Sequence, residues 1–326
     1  MKVCIFGAGA IGGLVGGLLA RQGDAEVSLI ARGPHLEAIQ KSGLTIQSEG
    51  EIFVQTNVKA TDDPSVLGEQ DFVIIALKAH SVPAIVSSMQ PLFGPDTAVV
   101  TAQNGVPWWY FYGVEGEYQN KRLEAVDPDG CIWDTVGPER AIGSVVYPAA
   151  EVIQPGVISH LAGNRFPVGE PTGERTDRVS TLSKLLIRAG LKAPVRNRIR
   201  NDIWVKLWGN LSFNPISAIT GATLDVICGD LGTRAVVRQM MLEAQEIGET
   251  LGIDFQIDVD KRIAGAEAVG AHKTSMLVDF ETGRPMEIDA IVTAVQQLGI
   301  ITGNKTPTID LVATLLKQKA SVAGCY

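Results

Sequence analysis

Residues 2–14 read "KVCIFGAGAIGGL", an apolar run broken by glycines at 7, 9 and 12 before a second apolar stretch begins. Lys2–Phe6 has the composition of a strand buried on both faces. From Ile11 to Gln22 the apolar residues recur at helical spacing. The glycines therefore occupy a turn that follows a strand and opens a helix. In such a G-x-G-x-x-G turn the first glycine permits the reversal and the second lets a pyrophosphate approach the backbone. The third lets helix and strand pack closely. The unpaired N–H groups and positive end of the helix then favour phosphate. Gly7, Gly9, Ala10, Ile11 and Gly12 are the expected cradle of a dinucleotide.

The same glycines bear on how the N-terminus is read. Cys4 to Ala20 is apolar, but only Lys2 precedes it and glycine recurs through it at 7, 9, 12, 13, 16 and 17. Neither a targeting segment nor a membrane span is expected there. Downstream, strand and helix alternate: a strand at Glu26–Ala31, a helix around His35–Lys41, and a hairpin from Leu44–Gln47 and Ile52–Val58 flanking Gly50. "DFVIIAL" at 71–77 reads as another doubly buried strand, followed by a helix near Val82–Leu92 and a strand at Thr97–Thr101. This alternation predicts an α/β fold, a Rossmann-type doubly wound parallel sheet. Residues 107–140, beginning "PWWYFYG", break the rhythm and read as a long, partly ordered aromatic excursion. Strands are expected again at Ala141–Tyr147 and at Val152–His160 about Pro155–Gly156, then a helix at Arg175–Ala189 and a last strand at Val195. Beyond residue 198 the β-rich runs stop, and helical periodicity dominates 199–214, 233–252, 287–299 and 307–319. The expected organisation is a dinucleotide-binding domain over 1–197 and an all-helical substrate and catalytic domain over 198–326.

Composition narrows the partners. The chain has 326 residues, and 28 Lys+Arg against 36 Asp+Glu give a net charge of −8 with no basic cluster, which disfavours nucleic acid. Cys4, Cys131, Cys228 and Cys325 are scattered without metal-ligand spacing, so buried thiols and a reducing cytoplasm are expected, with no zinc site. His35, His80, His160 and His272 form no visible constellation and read as surface or loop residues.

The second strand selects the nucleotide. "EVSLIARG" at 26–33 ends in Ala31–Arg32, where an NAD site carries a carboxylate for the ribose hydroxyls. An arginine there suits a 2′-phosphate through a charge-assisted fork, so NADPH/NADP+ is the expected cofactor and Arg32 its reader. Lys78 in "IALKAH" and Asn104 in "TAQNGV" fall just past carboxyl ends of strands, where open α/β sheets bind ligands.

In "NDIWVKLWGNLSFNPISAITGA", residues 201–222, Lys206, Asn210 and Asn214 stand four apart. At about 100° per residue they form one slowly drifting stripe on an otherwise apolar helix, which Pro215 is expected to kink or end. A second cluster, "TSMLVDFETGRPMEID" at 274–289, holds Ser275, Asp279, Arg284 and Glu287. Together with GAGAIG, LKA and QNG, the K-x3-N-x3-N helix and SMxxDxxxGRxxEID make the chain resemble the ketopantoate reductase (2-dehydropantoate 2-reductase) family along nearly its whole length. That family pairs a Rossmann domain with a helical one and reduces ketopantoate to pantoate with NADPH, on the route to pantothenate. The resemblance implies Lys206 as the catalytic proton donor and Glu287 as its supporting carboxylate. It implies Asn104, Asn210, Asn214 and Ser275 as substrate ligands. Asn104 also falls at the cofactor junction, and Arg32 and Lys78 on the cofactor side.

The chemistry is consistent with that assignment. Hydride addition to a 2-oxo acid builds negative charge on the carbonyl oxygen, which a positioned acid relieves. A lysine in a dry pocket has a lowered pKa and gives up its proton near neutrality; Trp204 and Trp208 are candidates for providing the dryness. No metal is required. Shorter family members lack the 107–140 excursion, whose aromatics would wall the substrate pocket, pack the domains, or form a homodimer contact. A different 2-oxo acid as substrate, or a non-catalytic NADP(H) sensor, are the alternatives.

Overall fold

A computed structural model describes residues 1–326, which divide into two compact units. The first comprises 1–103, 107–122 and 127–199; the second comprises 104–106, 123–126 and 200–326. No helix is long and apolar enough to cross a membrane.

The first unit is built on a seven-stranded sheet of β1 (Lys2–Phe6), β2 (Glu26–Ile30), β5 (Lys59–Thr61), β6 (Gln70–Ile75), β7 (Phe93–Thr101), β8 (Ala141–Ser144) and β11 (Val168–Gly169). Its order is β11-β8-β7-β6-β1-β2-β5, parallel except for β11 against β8. Helices α1 (Ala10–Gln22), α2 (Gly33–Ser42) and α4 (Asp177–Arg188) accompany it. The chain winds from β1 to β2 on one side and continues at β6 on the other, so the carboxyl end of β1 is the topological switch point, where such sheets bind ligands. Val3–Phe6 and Phe72–Ile75 are buried throughout, which is why both strands are legible as continuous apolar runs. A second, four-stranded sheet has the order β4-β3-β10-β9, from β3 (Leu44–Ser48), β4 (Glu51–Gln55), β9 (Ala149–Gln154) and β10 (Val157–Ala162). The predicted hairpin, β3 and β4, and the antiparallel pair β9 and β10 thus join in one sheet, through parallel pairing of β3 with β10.

Three expectations for this unit are corrected. The helix expected at Val82–Leu92 is a series of tight turns ending in a 3-10 stretch at Val86–Leu92. Pro83 and Pro91 lack the N–H groups that an α-helix would need there. Val195 forms only a single bridge to Val168, with Pro194 beside it unable to donate. Residues 107–140 form turns and short helices, and Trp108, Trp109, Tyr110 and Phe111 among their aromatics are buried. Trp109 is fully buried, its indole N–H donates 3.0 Å to Thr101 Oγ1, and its ring packs on the open face of Gly143. Trp108 and Tyr112 each meet Trp133 edge to face, at 6.2 and 6.1 Å between centroids. Asp127 accepts from the N–H groups of Ile132 and Trp133 at 2.6 and 3.0 Å, and so opens α3 (Cys131–Val136).

The second unit holds α5 (Ile199–Thr220, from its second residue), α6 (Leu224–Gly229), α7 (Leu231–Thr250), α8 (Val259–Glu267), α9 (Ser275–Glu281), α10 (Ala294–Thr302) and α11 (Pro307–Ala323). Asp230, Asp258 and Thr274 cap α7, α8 and α9. The buried Glu243 carboxylate accepts from the N–H groups of Thr308 and Ile309 at the start of α11, offsetting its burial with charge-assisted hydrogen bonds at the positive end of a helix. Helix α5 does not end at Pro215 but runs to Thr220. The proline removes one donor, whereas burial from Leu211 through Ala218 holds the remaining turns together, and Lys319 Nζ donates 2.7 Å to the Ile219 carbonyl near the end. The helix expected at 287–299 is interrupted by a π turn at Asp289–Thr293 before α10 resumes α geometry.

Candidate active site

Lys206, Asn104 and Glu287 meet in the second unit as one hydrogen-bonded chain. The Lys206 ammonium donates 2.7 Å to Asn104 Oδ1, and Asn104 Nδ2 donates 3.1 Å to Glu287 Oε2. This fixes the carboxamide: flipped, it would set NH₂ against an ammonium and a carbonyl oxygen against a carboxylate. Each residue is only partly buried, so the chain borders accessible space. Desolvation of the ammonium dominates its titration and pulls the Lys206 pKa down to about 8, while the Glu287 charge works in the opposite direction. Roughly nine in ten lysines then remain charged at pH 7, yet the proton is held far less tightly than on an ordinary lysine.

The backbone explains how residues so distant in sequence converge. Gly105 has φ +87°, and a Cβ there would lie 2.3 Å from the Ala290 carbonyl oxygen, so only glycine permits the approach. The next N–H, of Val106, donates 2.8 Å to that same carbonyl. Ala290 belongs to the π turn two residues after Glu287, and π turns often mark functional sites in helices. The segment before Glu287 is braced by an Asp279–Arg284 ion pair at 3.0 Å and by Met286 N–H donating to the Cys325 carbonyl.

Asn210 and Asn214 continue the Lys206 stripe, Asn210 partly buried and Asn214 buried. Ile203 and Phe213, both buried, share that side of α5. Trp204 and Trp208 do not. They lie two residues to either side of Lys206, about 200° around the helix, and are buried beside Phe255, with the Trp208 indole N–H donating to the Met241 carbonyl. They anchor α5 from behind and do not dry the lysine directly. Ser275 is exposed at the first turn of α9, which Thr274 caps, and it stands outside the Lys206–Asn104–Glu287 chain.

In the first unit a cavity of about 670 Å³ opens at the switch point, lined by Gly7, Gly9, Arg32, His35, Asp62 and Gln154 among others. Gly7 has φ +104°, and a Cβ on Gly12 would strike the Gly7 carbonyl oxygen. Gly9 faces open space, and α1, whose first residues are Ala10 and Ile11, has no side-chain cap. A free helix N-terminus beside an unobstructed glycine fits a pyrophosphate. Arg32 is exposed at the cavity rim and precedes the first turn of α2. Lys78 lies between Leu77 and Ser81, both of which line the cavity.

Two features escape the sequence reading. His35 is partly buried and hydrogen-bonded at both ring nitrogens, not a surface residue, and its position three residues after Arg32 was a usable signal. The Gly105–Ala290 contact was signalled only by the Asn-Gly pair, which also suits an ordinary turn.

The glycine turn at the switch point of the parallel sheet suits a dinucleotide, and the helical unit holds a desolvated lysine. The comparisons with known proteins give the chain's family. Residues 3–173 match the profile of ketopantoate reductase PanE/ApbA, and residues 198–320 match that of its C-terminal domain. A 2-dehydropantoate 2-reductase of Mesorhizobium japonicum is 58% identical over the whole length of both chains. One from Pyrococcus horikoshii is 31% identical over 99% of each. Among solved structures, a 2-dehydropantoate 2-reductase from Geobacter metallireducens superposes with TM-score 0.84 at 29% identity, covering 98% of this chain and 99% of the other. The chain belongs to the ketopantoate reductase family.

Proposed function

We propose that the protein reduces 2-dehydropantoate (ketopantoate) to (R)-pantoate with NADPH, a step of pantothenate biosynthesis, with Lys206 as the general acid. The observation that carries this reading is the hydrogen-bonded chain Lys206–Asn104–Glu287. The names of the full-length relatives support the substrate.

NADPH, when bound, supplies the hydride. The Gly7–Gly12 turn and the start of α1 bind its pyrophosphate. Arg32, in place of the carboxylate expected of an NAD site, binds the 2′-phosphate, and Lys78 adds a second cation on the cofactor side. The residues of the second unit manage the proton. The ketone gains a hydride at carbon, and its π electron pair moves to oxygen. Lys206 gives that oxygen a proton from Nζ and is left as a neutral amine, to be reprotonated from solvent. Asn104 holds the ammonium in one position through its Oδ1. Glu287 keeps enough negative potential nearby for the lysine to stay charged until it is needed. Asn210 and Asn214, on the same side of α5, and Ser275 at the start of α9, orient the acid without neutralising the ammonium.

NADPH oxidation by the purified protein across a panel of 2-oxo acids tests this reading. Ketopantoate preferred by orders of magnitude supports it. A different preferred acid replaces the substrate and keeps the mechanism. No turnover with any acid, despite tight NADPH binding, overturns the enzymatic reading.

A further inference from the structure

His35 is the first-unit side chain best placed to act on the cavity without being one of its expected ligands. It lies on the first turn of α2 and lines the cavity. Its Nδ1 accepts from the Gly156 N–H at 3.0 Å, and its Nε2 stands 2.8 Å from the Ala8 carbonyl oxygen. A peptide N–H can only donate and a carbonyl can only accept. The ring is therefore the neutral tautomer with its proton on Nε2.

The two partners belong to different elements that line the cavity, the glycine turn and the β9–β10 hairpin. Ala8 lies between Gly7 and Gly9, the glycines of the phosphate turn. Its own N–H donates 2.8 Å to the Ile30 carbonyl, so His35 fixes the second end of an already tethered segment. Gly156 is the turn of the β9–β10 hairpin, held at φ +78°, and its carbonyl accepts from Thr45 N–H of β3. Val152, Gln154 and Pro155 of that hairpin line the cavity, as do Gly7, Ala8 and Gly9 of the glycine turn. One imidazole thus joins the phosphate turn of the main sheet to the turn of the small sheet.

We propose that His35 is a positioning residue for the cofactor, a clasp that holds the glycine turn and the β9–β10 hairpin at the separation the dinucleotide requires. The inference rests on the dinucleotide reading of this cavity. It differs from the role given to Arg32 because the clasp acts on the walls and serves NADPH and NADH alike, whereas Arg32 discriminates between them.

The test is a fluorescence titration of wild type and His35→Ala with NADPH and with NADH, alongside steady-state kinetics and an imidazole ¹⁵N spectrum of the wild type. The clasp predicts the Nε2–H tautomer for His35. It also predicts dissociation constants raised about tenfold for both nucleotides, and kcat at saturating NADPH kept within about twofold. Unchanged affinity in a folded His35→Ala protein, or an Nδ1–H tautomer in the wild type, overturns it. If His35→Ala does not fold, His35→Phe, which keeps a ring and removes both hydrogen bonds, is expected to raise both dissociation constants in the same way; unchanged constants overturn the proposal. Failure of the wild type to bind either nucleotide would instead remove the dinucleotide reading, and the clasp with it.

Discussion

Asn104 accepts a 2.7 Å hydrogen bond from Lys206 across a separation of 102 residues, and passes the interaction on to Glu287 through its other amide atom. One carboxamide therefore holds the ammonium through its oxygen and the carboxylate through its nitrogen.

Replacing the carboxamide tests that function. Asn104→Ala removes this acceptor from the ammonium and this donor from the Glu287 carboxylate. We expect kcat/KM to fall on the order of 10²-fold, the cost of a catalytic group displaced by about an ångström. The NADPH dissociation constant reports separately on the contribution of Asn104 to the cofactor junction.

The pH profile follows from the lysine. Its pKa of about 8 means that kcat/KM for carbonyl reduction declines as the pH rises through about 8, because the acid form is lost. In the oxidation direction the neutral amine is the working form, so the rate rises over the same interval. Glu287 raises the lysine pKa against the larger effect of desolvation. Glu287→Gln should therefore move the basic limb of the reduction profile to lower pH, and rate measurements from pH 6 to 10 would detect it. A limb moving to higher pH would contradict the assignment.

Gly105→Ala probes the backbone beneath the site. The substitution forces an alanine to φ +87° and drives its Cβ into the Ala290 carbonyl. The turn has to move, taking Asn104 with it. We expect a loss of kcat/KM of about 10²-fold, with the NADPH dissociation constant changed no more than by Asn104→Ala, since the cavity of the first unit is left intact.

Arg32→Ala separates the cofactors. Loss of the guanidinium should weaken NADPH by on the order of tenfold or more while leaving NADH nearly unchanged, as judged by KM for each. An unaltered preference for NADPH would remove Arg32 as its reader.

How far the sequence led depended on the kind of order involved. β1 and β6 were legible because strands buried on both faces leave unbroken apolar runs, and the glycine turn because each glycine answers a separate steric demand. Val82–Leu92 has helical apolar spacing but forms no α-helix, because Pro83 and Pro91 lack the N–H groups that one needs. The π turn at Asp289–Thr293 could not be read, since one extra residue in a turn leaves no compositional trace.

The stripe of Lys206, Asn210 and Asn214 was visible as a helical interval. Which side of α5 the tryptophans take was also computable from that interval, yet proximity in sequence suggested the wrong neighbours for the lysine. The contact of Asn104 with Glu287 spans 183 residues and depends on Gly105 reaching the Ala290 backbone, a tertiary fact with no local pattern. His35 reads as a surface or loop residue in the sequence because its partners are backbone groups, which every sequence offers everywhere.

The central claim is that Lys206 supplies the proton during carbonyl reduction, and the most direct measurement is kcat/KM for ketopantoate with NADPH in wild type and Lys206→Ala. The account predicts a loss of about 10²- to 10⁴-fold with NADPH affinity retained. Turnover by Lys206→Ala at the wild-type rate would contradict it.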